Sequence, residues 1–301
     1  MKVLVTGGAG FIGTNLIKRL LKDGHEVHSV DNYSTGFKEN KQVGCMYHEY
    51  DISSPHLLGI YVDHNTYPAW RELDFDLVFH LAALARIQPS FRNPQEVFRV
   101  NTLGTQQILE WARGKDIPVV YAGSSSTHGD HYANPYTFTK WQGEQLCKLY
   151  NKVYQLPTVI CRFYNVYGEH QLEDGVYATL IGIFEKQYRE GKALTVTGNG
   201  EQRRDFTHVD DIVDGLVKAG EGLFDDVIFT AVKGFTFELG RGKNHSILEI
   251  TEMFGETEVE YIPARKGEYP FTLADYTKAK EELGWNPSMS VKDYINMAVS
   301  K

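Results

Sequence analysis

The chain has 301 residues, long enough for one large α/β unit or two fused modules with a substantial core. Its formal charge of −8, with no Lys/Arg-rich run, excludes nucleic acid and an anionic membrane as main partners, so any anionic ligand must be met by local arginines and backbone amides. Cys45, Cys147 and Cys161 are scattered without a C-x-x-C, which reads as reduced core thiols in a cytoplasmic protein, and no apolar run approaches membrane-spanning length.

Residues 3–5 form a short apolar run that reads as a buried parallel strand. Gly7, Gly8, Gly10 and Gly13 follow, satisfying both G-x-x-G-x-x-G and G-x-G-x-x-G, and an amphipathic stretch over 12–21 predicts a helix. The chain enters this glycine turn at once, and no signal peptide is expected. Glycine permits the tight turn and lets the backbone approach a pyrophosphate, which the helix N-terminus then holds with free N–H groups. Further strands are predicted over 26–30, 46–50, 75–81, 118–122 and 158–163, with helices over 94–113 and 136–153. A third crossover helix is expected within 53–72, where His56, His64, Pro68 and Trp70 follow neither period. After Gly168 the elements shorten, and Ser246 with Glu249 forms a capping box there.

Alternating strands and helices imply an α/β fold: a Rossmann-type doubly wound parallel sheet with ligands at the carboxyl ends of its strands. Residues 1–167 are expected to form the dinucleotide-binding domain and residues 168–301 a smaller α/β C-terminal substrate-binding lobe, with segments free to cross back.

Asp31 ends the second strand, where a carboxylate accepts hydrogen bonds from both ribose hydroxyls and repels a 2′-phosphate. No arginine adjoins it, so NAD is favoured over NADP. Asn32 turns with it, and Asp51, after the third strand, is a candidate adenine contact.

Tyr136 and Lys140 are one helical turn apart and share a face, and Ser124 follows the fifth strand. That trio suits proton removal coupled to hydride transfer. A phenol of pKa about 10 needs roughly 3 units, or about 4 kcal/mol, to ionise near neutrality. One positive charge at about 5 Å supplies on the order of 3 kcal/mol at an effective dielectric near 20. Lys140 alone is therefore marginal, and Lys140 with the nicotinium charge of oxidised NAD suffices.

The segments TGGAGFIG, VDNYSTG, HLAA, NTLGT, SSST, PYTFTK, RFYNVYG, GNGEQRRDFTHVDD and ARKGEY resemble, nearly end to end, signature segments of the extended short-chain dehydrogenase/reductase family, specifically its nucleotide-sugar epimerases. The resemblance implies Ser124, Tyr136 and Lys140 as the catalytic trio. It implies cofactor contacts from Gly7, Gly10, Phe11, Ile12, Gly13, Asp31, Asn32, Asp51, Ile52, Leu81, Ala82, Ala83 and Asn101, with Tyr136 and Lys140. For the nucleotide sugar it implies Ser124, Ser125, Asn165 at the diphosphate, Arg204 and Arg265 as its clamp, Glu268 at ribose hydroxyls and Thr272 as a gate. Bidentate guanidinium groups suit phosphate oxygens. Arg203 competes with Arg204 for that role, ion pairs to Asp205 or Asp210 compete for Arg204, and Glu268 competes for Arg265.

Family dehydratases carry an Asp–Glu pair just after the catalytic hydroxyl residue, and here those positions are Ser125 and Ser126. The decarboxylases' nearby glutamate is missing, and no cysteine lies near Ser124 for a Cys/His double inversion. What remains is redox-neutral 4-epimerisation of a UDP-hexose through a 4-keto intermediate, with NAD tightly bound. The small Thr272 leaves room for a 2-acetamido group, so UDP-GlcNAc and UDP-GalNAc join UDP-Glc and UDP-Gal as expected substrates. An epimerase or dehydratase of another NDP-sugar, or a non-catalytic NAD-binding sensor, are the competing readings.

Three departures matter. Ser124 and Tyr136 are 12 positions apart, a shorter gap than the family's, which removes the loop flanking the sugar. His128 replaces a tyrosine; with Asp130 and His131 it resembles metal ligands only faintly, no metal is expected, and proton donation by His128 is an alternative. Thr197 stands where a base-stacking aromatic belongs. Trp111, Trp141 and Tyr150 lie on the predicted helices that the family packs into a dimeric four-helix bundle, so a homodimer is expected, the alternative being that they face the sheet.

Overall fold

The computed structural model describes residues 1–55, 57 and 69–300. In chain order its first half runs β1 (Lys2–Thr6), α1 (Phe11–Lys22), β2 (Glu26–Asp31), β3 (Cys45–Glu49), β4 (Leu77–His80), α2 (Ile87–Arg92), α3 (Pro94–Phe98), α4 (Thr105–Lys115), β5 (Val119–Ser124), α5 (Pro135–Tyr154) and β6 (Thr158–Phe163). The second half runs β7 (Val166–Tyr167), α6 (Leu180–Arg189), β8 (Leu194–Thr197), β9 (Arg203–Asp205), β10 (Thr207–His208), α7 (Val209–Glu221), α8 (Phe229–Val232), β11 (Thr236–Leu239), β12 (Asn244–Ser246), α9 (Ile247–Met253), β13 (Val259–Ile262), α10 (Thr277–Leu283) and α11 (Val291–Val299).

Seven strands form one sheet in the order β11-β6-β5-β4-β1-β2-β3, every pairing parallel. The order reverses between β1 and β4, and a crevice opens outside the carboxyl ends of strands at such a point. Burial on both faces explains why β1, β4 and β5 read as unbroken apolar runs. One face is packed by Leu16, Ile17 and Leu20 of α1, Ile212 and Leu216 of α7, and Trp285. The other takes Ile108 and Trp111 from α4 and Cys147 and Tyr150 from α5.

The expected elements are present, with three adjustments. The stretch read as one helix over 94–113 is α3 and α4 joined through a π-helical segment, Arg99–Gly104, a wider turn of the kind that accompanies functional sites. The fifth strand runs on to Ser124, two residues past the predicted end, which makes the serine the last residue of β5. The third crossover helix, expected within 53–72, falls largely outside the described residues; of that stretch, Ala69–Glu72 is a 3₁₀ turn whose Trp70 packs edge-on against Trp111, ring centres 5.2 Å apart.

From Tyr167 onward the chain builds a second core, with Tyr167, Ile181, Phe184, Val196, Phe206, Ile250 and Ile295 in it. It also returns to the first: β11 extends the main sheet beside β6, and α7 covers β6. Ser246 caps α9 by accepting the Glu249 N–H at 3.0 Å, and the Glu249 carboxylate turns to Arg203 instead of closing the reciprocal half of the box. Cys147 and Cys161 are buried and Cys45 is half-buried on β3; all are unpaired, and burial pushes the Cys45 thiol up to about 12.

Trp111 and Tyr150 face the sheet and are 4% and 5% exposed, which removes them from any intersubunit face. Trp141 is half-buried against Phe138 and His131. Leu149, Val153 and Tyr154 of α5 and Leu103 of the π-helical segment are exposed instead. No helix among the described residues is long and apolar enough to cross a membrane.

Candidate active site

A cleft of about 880 Å³ runs from the glycine turn after β1, past the ends of β2, β4 and β5, to the second lobe. Its first end is a backbone cradle. Gly7 has φ +74°, and a Cβ there would lie 2.8 Å from the Ala82 nitrogen. A Cβ on Gly13 would lie 2.2 Å from the Gly7 carbonyl oxygen, so α1 starts against the turn only because that residue is glycine. Gly10 is the N-cap of α1; it offers no side-chain cap, and no acid occupies the first turn, which leaves the N–H groups of Phe11, Ile12 and Gly13 for an anion. Gly8 serves packing: a Cβ there would lie 2.2 Å from Ser29 Oγ.

Asp31 lies at the carboxyl end of β2, 8% exposed and lining the cleft. One of its oxygens accepts the Ala9 N–H (2.9 Å) and the other the Tyr33 N–H (2.7 Å), leaving lone pairs on each for diol hydroxyls. Burial pushes this carboxyl up, and the two N–H groups pull it back. Asn32, Ile52, Leu81, Ala82 and Ala83 line the same end. Asp51 lines it too, with both oxygens engaged: Ser53 donates to one at 2.6 Å and Arg99 to the other at 2.9 Å. Asn101 does not reach the cleft. It is buried in the π-helical segment, accepts the Leu84 N–H (2.8 Å) and donates to the Leu84 carbonyl (3.1 Å) and Thr139 (3.2 Å), so it holds the loop after β4 from behind. A glycine cradle, an open helix N-terminus and a diol acceptor together fit a dinucleotide without a 2′-phosphate.

At the middle of the cleft, the Tyr136 hydroxyl donates to Ser124 Oγ at 3.2 Å. Ser124 Oγ also accepts the Ser126 N–H (3.2 Å) and shares a hydrogen bond with Ser126 Oγ (2.9 Å), and Ser125 lines the wall beside them. Asn134 caps α5 through the Thr137 N–H and Pro135 follows at N1, so the helix begins one residue before the tyrosine. Lys140, one turn on, is 5% exposed; its Nζ donates to the Ala122 carbonyl at 2.5 Å and lies 4.4 Å from the Tyr121 ring centre. Burial pushes the Lys140 ammonium down to about 8, against the pull of Glu144 another turn along. Glu144 is fully buried and paired with Arg162 at 2.7 Å.

Burial pushes the Tyr136 phenol up, the Ser124 hydrogen bond pulls it down, and the cation pulling it down is Arg86. Sequence reasoning missed Arg86. Its only signal was position, in the loop after β4 at the carboxyl edge of the sheet, where ligands bind.

The far end of the cleft gathers Asn165, Arg204, Arg265, Glu268 and Thr272. The arginine doublet is resolved by strand alternation in β9: Arg203 turns to Glu249 (2.7 Å) and Asn244 (2.9 Å), and Arg204 lines the cleft. Arg204 pairs with Glu268 at 3.5 Å, not with Asp205, whose oxygens accept the backbone N–H groups of Arg241, Gly242 and Ala274. Arg265 reaches the same Glu268 at 3.9 Å. Asn165 donates to Thr272 Oγ1 (3.2 Å) and to the Asp205 carbonyl (3.0 Å). Thr197 lines the wall with Gln202, Phe206 and Ile247.

The shortened loop between Ser124 and Tyr136 is covered by the segment carrying Arg265 and Glu268. Tyr269 packs its ring over Gly129 and donates to the Asp130 carbonyl. Asn134 donates to the Gly267 carbonyl (3.1 Å) and Gln88 to that of Lys266 (2.8 Å). His128 turns away from the cleft lining, to Glu238 (2.6 Å) and Tyr164 (2.6 Å), and His131 bonds the Thr127 carbonyl.

Residues 3–226 match the family model described as the NAD dependent epimerase/dehydratase family. A UDP-glucose 4-epimerase of Mycolicibacterium smegmatis is 31% identical over 99% of this chain and 97% of its own length. A UDP-glucuronic acid decarboxylase 1 of Danio rerio is 28% identical over 99% of this chain and 72% of its own. The crystal structure of a UDP-glucose 4-epimerase from Thermotoga maritima with UDP-glucose superposes with a TM-score of 0.88 at 28% identity, covering 100% of this chain and 98% of that one.

Proposed function

The chain belongs to the NAD dependent epimerase/dehydratase family, and from that premise we propose that it inverts C4 of the hexose in a UDP-sugar, as a UDP-glucose 4-epimerase does. The observation that carries this reading is the Tyr136–Ser124 hydrogen bond beside the dinucleotide cradle, with Ser125 and Ser126 following where elimination would need carboxylates. NAD, when bound, supplies a hydride acceptor that returns the hydride to the opposite face of the sugar.

The chain's own residues do the rest. Tyr136 takes the proton of the 4-hydroxyl, and Ser124, hydrogen-bonded to the phenol, holds the same sugar oxygen as it becomes a ketone. Ser126 shares a hydroxyl hydrogen bond with Ser124, and when Ser126 donates, the Ser124 O–H is left for the sugar oxygen. Lys140, fixed by the Ala122 carbonyl, holds a cofactor hydroxyl and adds positive charge. Arg204 and Arg265 take the diphosphate, with Glu268 between them free to accept from ribose hydroxyls. Thr272 is small, which supports room for a 2-acetamido group, although its hydroxyl is tied to Asn165.

A homodimer formed through α4 and α5 is supported by the exposed Leu149, Val153 and Tyr154. Unpaired cysteines support a reducing, cytoplasmic setting. The test is proton NMR of the purified protein with UDP-glucose: the C4 epimer should grow without added NAD. A water-loss product with 4-keto-6-deoxy signals would replace this reading with a dehydratase. Tyr136→Phe should lose at least about a hundredfold in turnover and keep its NAD; near-normal turnover would remove the tyrosine from the mechanism.

A further inference from the structure

Arginines 86, 92, 204 and 265 line the cleft; Arg92 is exposed to solvent, and Glu268 is shared by Arg204 and Arg265 at 3.5 and 3.9 Å. Arg86 has no carboxylate within ion-pair distance among the described residues. Its hydrogen bond runs from Nη2 to the Tyr177 carbonyl at 2.9 Å, which leaves most of its five donors free. A half-buried guanidinium without a counter-ion is costly unless the ligand brings one.

Where Arg86 sits decides what that ligand group is. Held by the Tyr177 carbonyl, it lines the same cleft as Tyr136, Arg265 and Glu268, and its charge is felt at the phenol and at both of the others. Resting on the 4-epimerase reading, Tyr136 meets the oxygen on C4, and Arg204 and Arg265 meet the diphosphate. C6 is two bonds from C4, so its substituent lies near the phenol and within the field of a cation lining the same cleft. An ordinary hexose carries a neutral hydroxymethyl group there and leaves Arg86 unanswered. We propose that the hexose of the substrate is a hexuronate, and that Arg86 binds its C6 carboxylate. Guanidinium–carboxylate pairing suits both geometry and charge, and the carboxylate also screens Arg86 from Arg265.

The experiment compares UDP-glucuronate with UDP-glucose on the NAD-loaded enzyme. The wild type should favour the uronate in kcat/KM by about ten- to a hundredfold, the worth of one charge-assisted hydrogen-bonded contact. In Arg86→Gln that ratio should fall by the same factor, and Arg86→Lys should retain part of it. Calorimetric binding of both ligands to Tyr136→Phe reads the same preference without turnover. Equal use of both sugars by the wild type, or an Arg86→Gln variant that weakens both in the same proportion, would overturn the proposal; the second result would assign Arg86 to the diphosphate. Turnover of neither sugar would instead sink the 4-epimerase reading beneath it. Should Arg86→Gln fail to fold, the wild-type ratio and the Tyr136→Phe affinities still decide.

Discussion

Lys140 shows what one buried charge costs the fold. Its ordinary pKa of about 10.5 falls to about 8 in the fold because burial disfavours the ammonium. At pH 7 the lysine is protonated in both folded and unfolded states, so the folded state carries a penalty of about 3 kcal/mol. Between about pH 8 and 10.5 the folded lysine is neutral and the unfolded one is not, and this contribution to stability rises with pH. Lys140→Met removes the penalty and leaves the Ala122 carbonyl without its donor, a cost of about 1–3 kcal/mol. Denaturant melts at pH 7 should therefore show no net loss, and the advantage of the variant should shrink toward pH 10. A loss of several kcal/mol at pH 7 would show that the Ala122 bond outweighs the burial.

At the scale of elements, two glycines make tests that separate cofactor from substrate. A Cβ at Gly13 would meet only backbone, the Gly7 carbonyl at 2.2 Å and the Gly8 Cα at 2.7 Å, and neither can give way. Gly13→Ala should push α1 off the turn, with the loss read as NAD released per chain on denaturation. Full NAD content would show that the turn is more yielding than its geometry implies. A Cβ at Gly129 would lie 1.9 Å from the Tyr269 ring. Gly129→Ala should swing Tyr269 off the short loop and raise KM for the UDP-sugar several-fold with NAD content unchanged; an unaltered KM would mean that this tyrosine does not seal the cleft. The segment 264–272 thereby does the work of the missing loop, and its anchors at Asp130, Asn134 and Gln88 are all long-range.

Across the whole molecule, two cores meet along one cleft. Asp205, fully buried, stitches them by accepting three backbone N–H groups from the chain after β11 and from Ala274. The outer face of α5 is the counterpart: Leu149 and Val153 are 49% and 57% exposed on a helix whose opposite stripe is packed on the sheet. If that face joins two copies, Leu149→Glu should convert a dimer to a monomer by light scattering after gel filtration. A wild type already monomeric at micromolar concentration would end the dimer proposal.

The fold and its glycine cradle were legible in the sequence because they rest on local signals: short apolar runs, amphipathic helical spacing, a glycine turn, a cap and the acid ending β2. Tyr136 and Lys140 were legible as a helical pair for the same reason. Which way Trp111 faces, that Asn101 braces Leu84, that Arg203 and not Arg204 pairs with Glu249, and that Arg86 lines the cleft with Tyr136 were decided only by tertiary structure. Each depends on what a side chain meets across the sheet or from the second lobe, more than thirty residues away in the chain for most of them, and no local pattern encodes such a meeting.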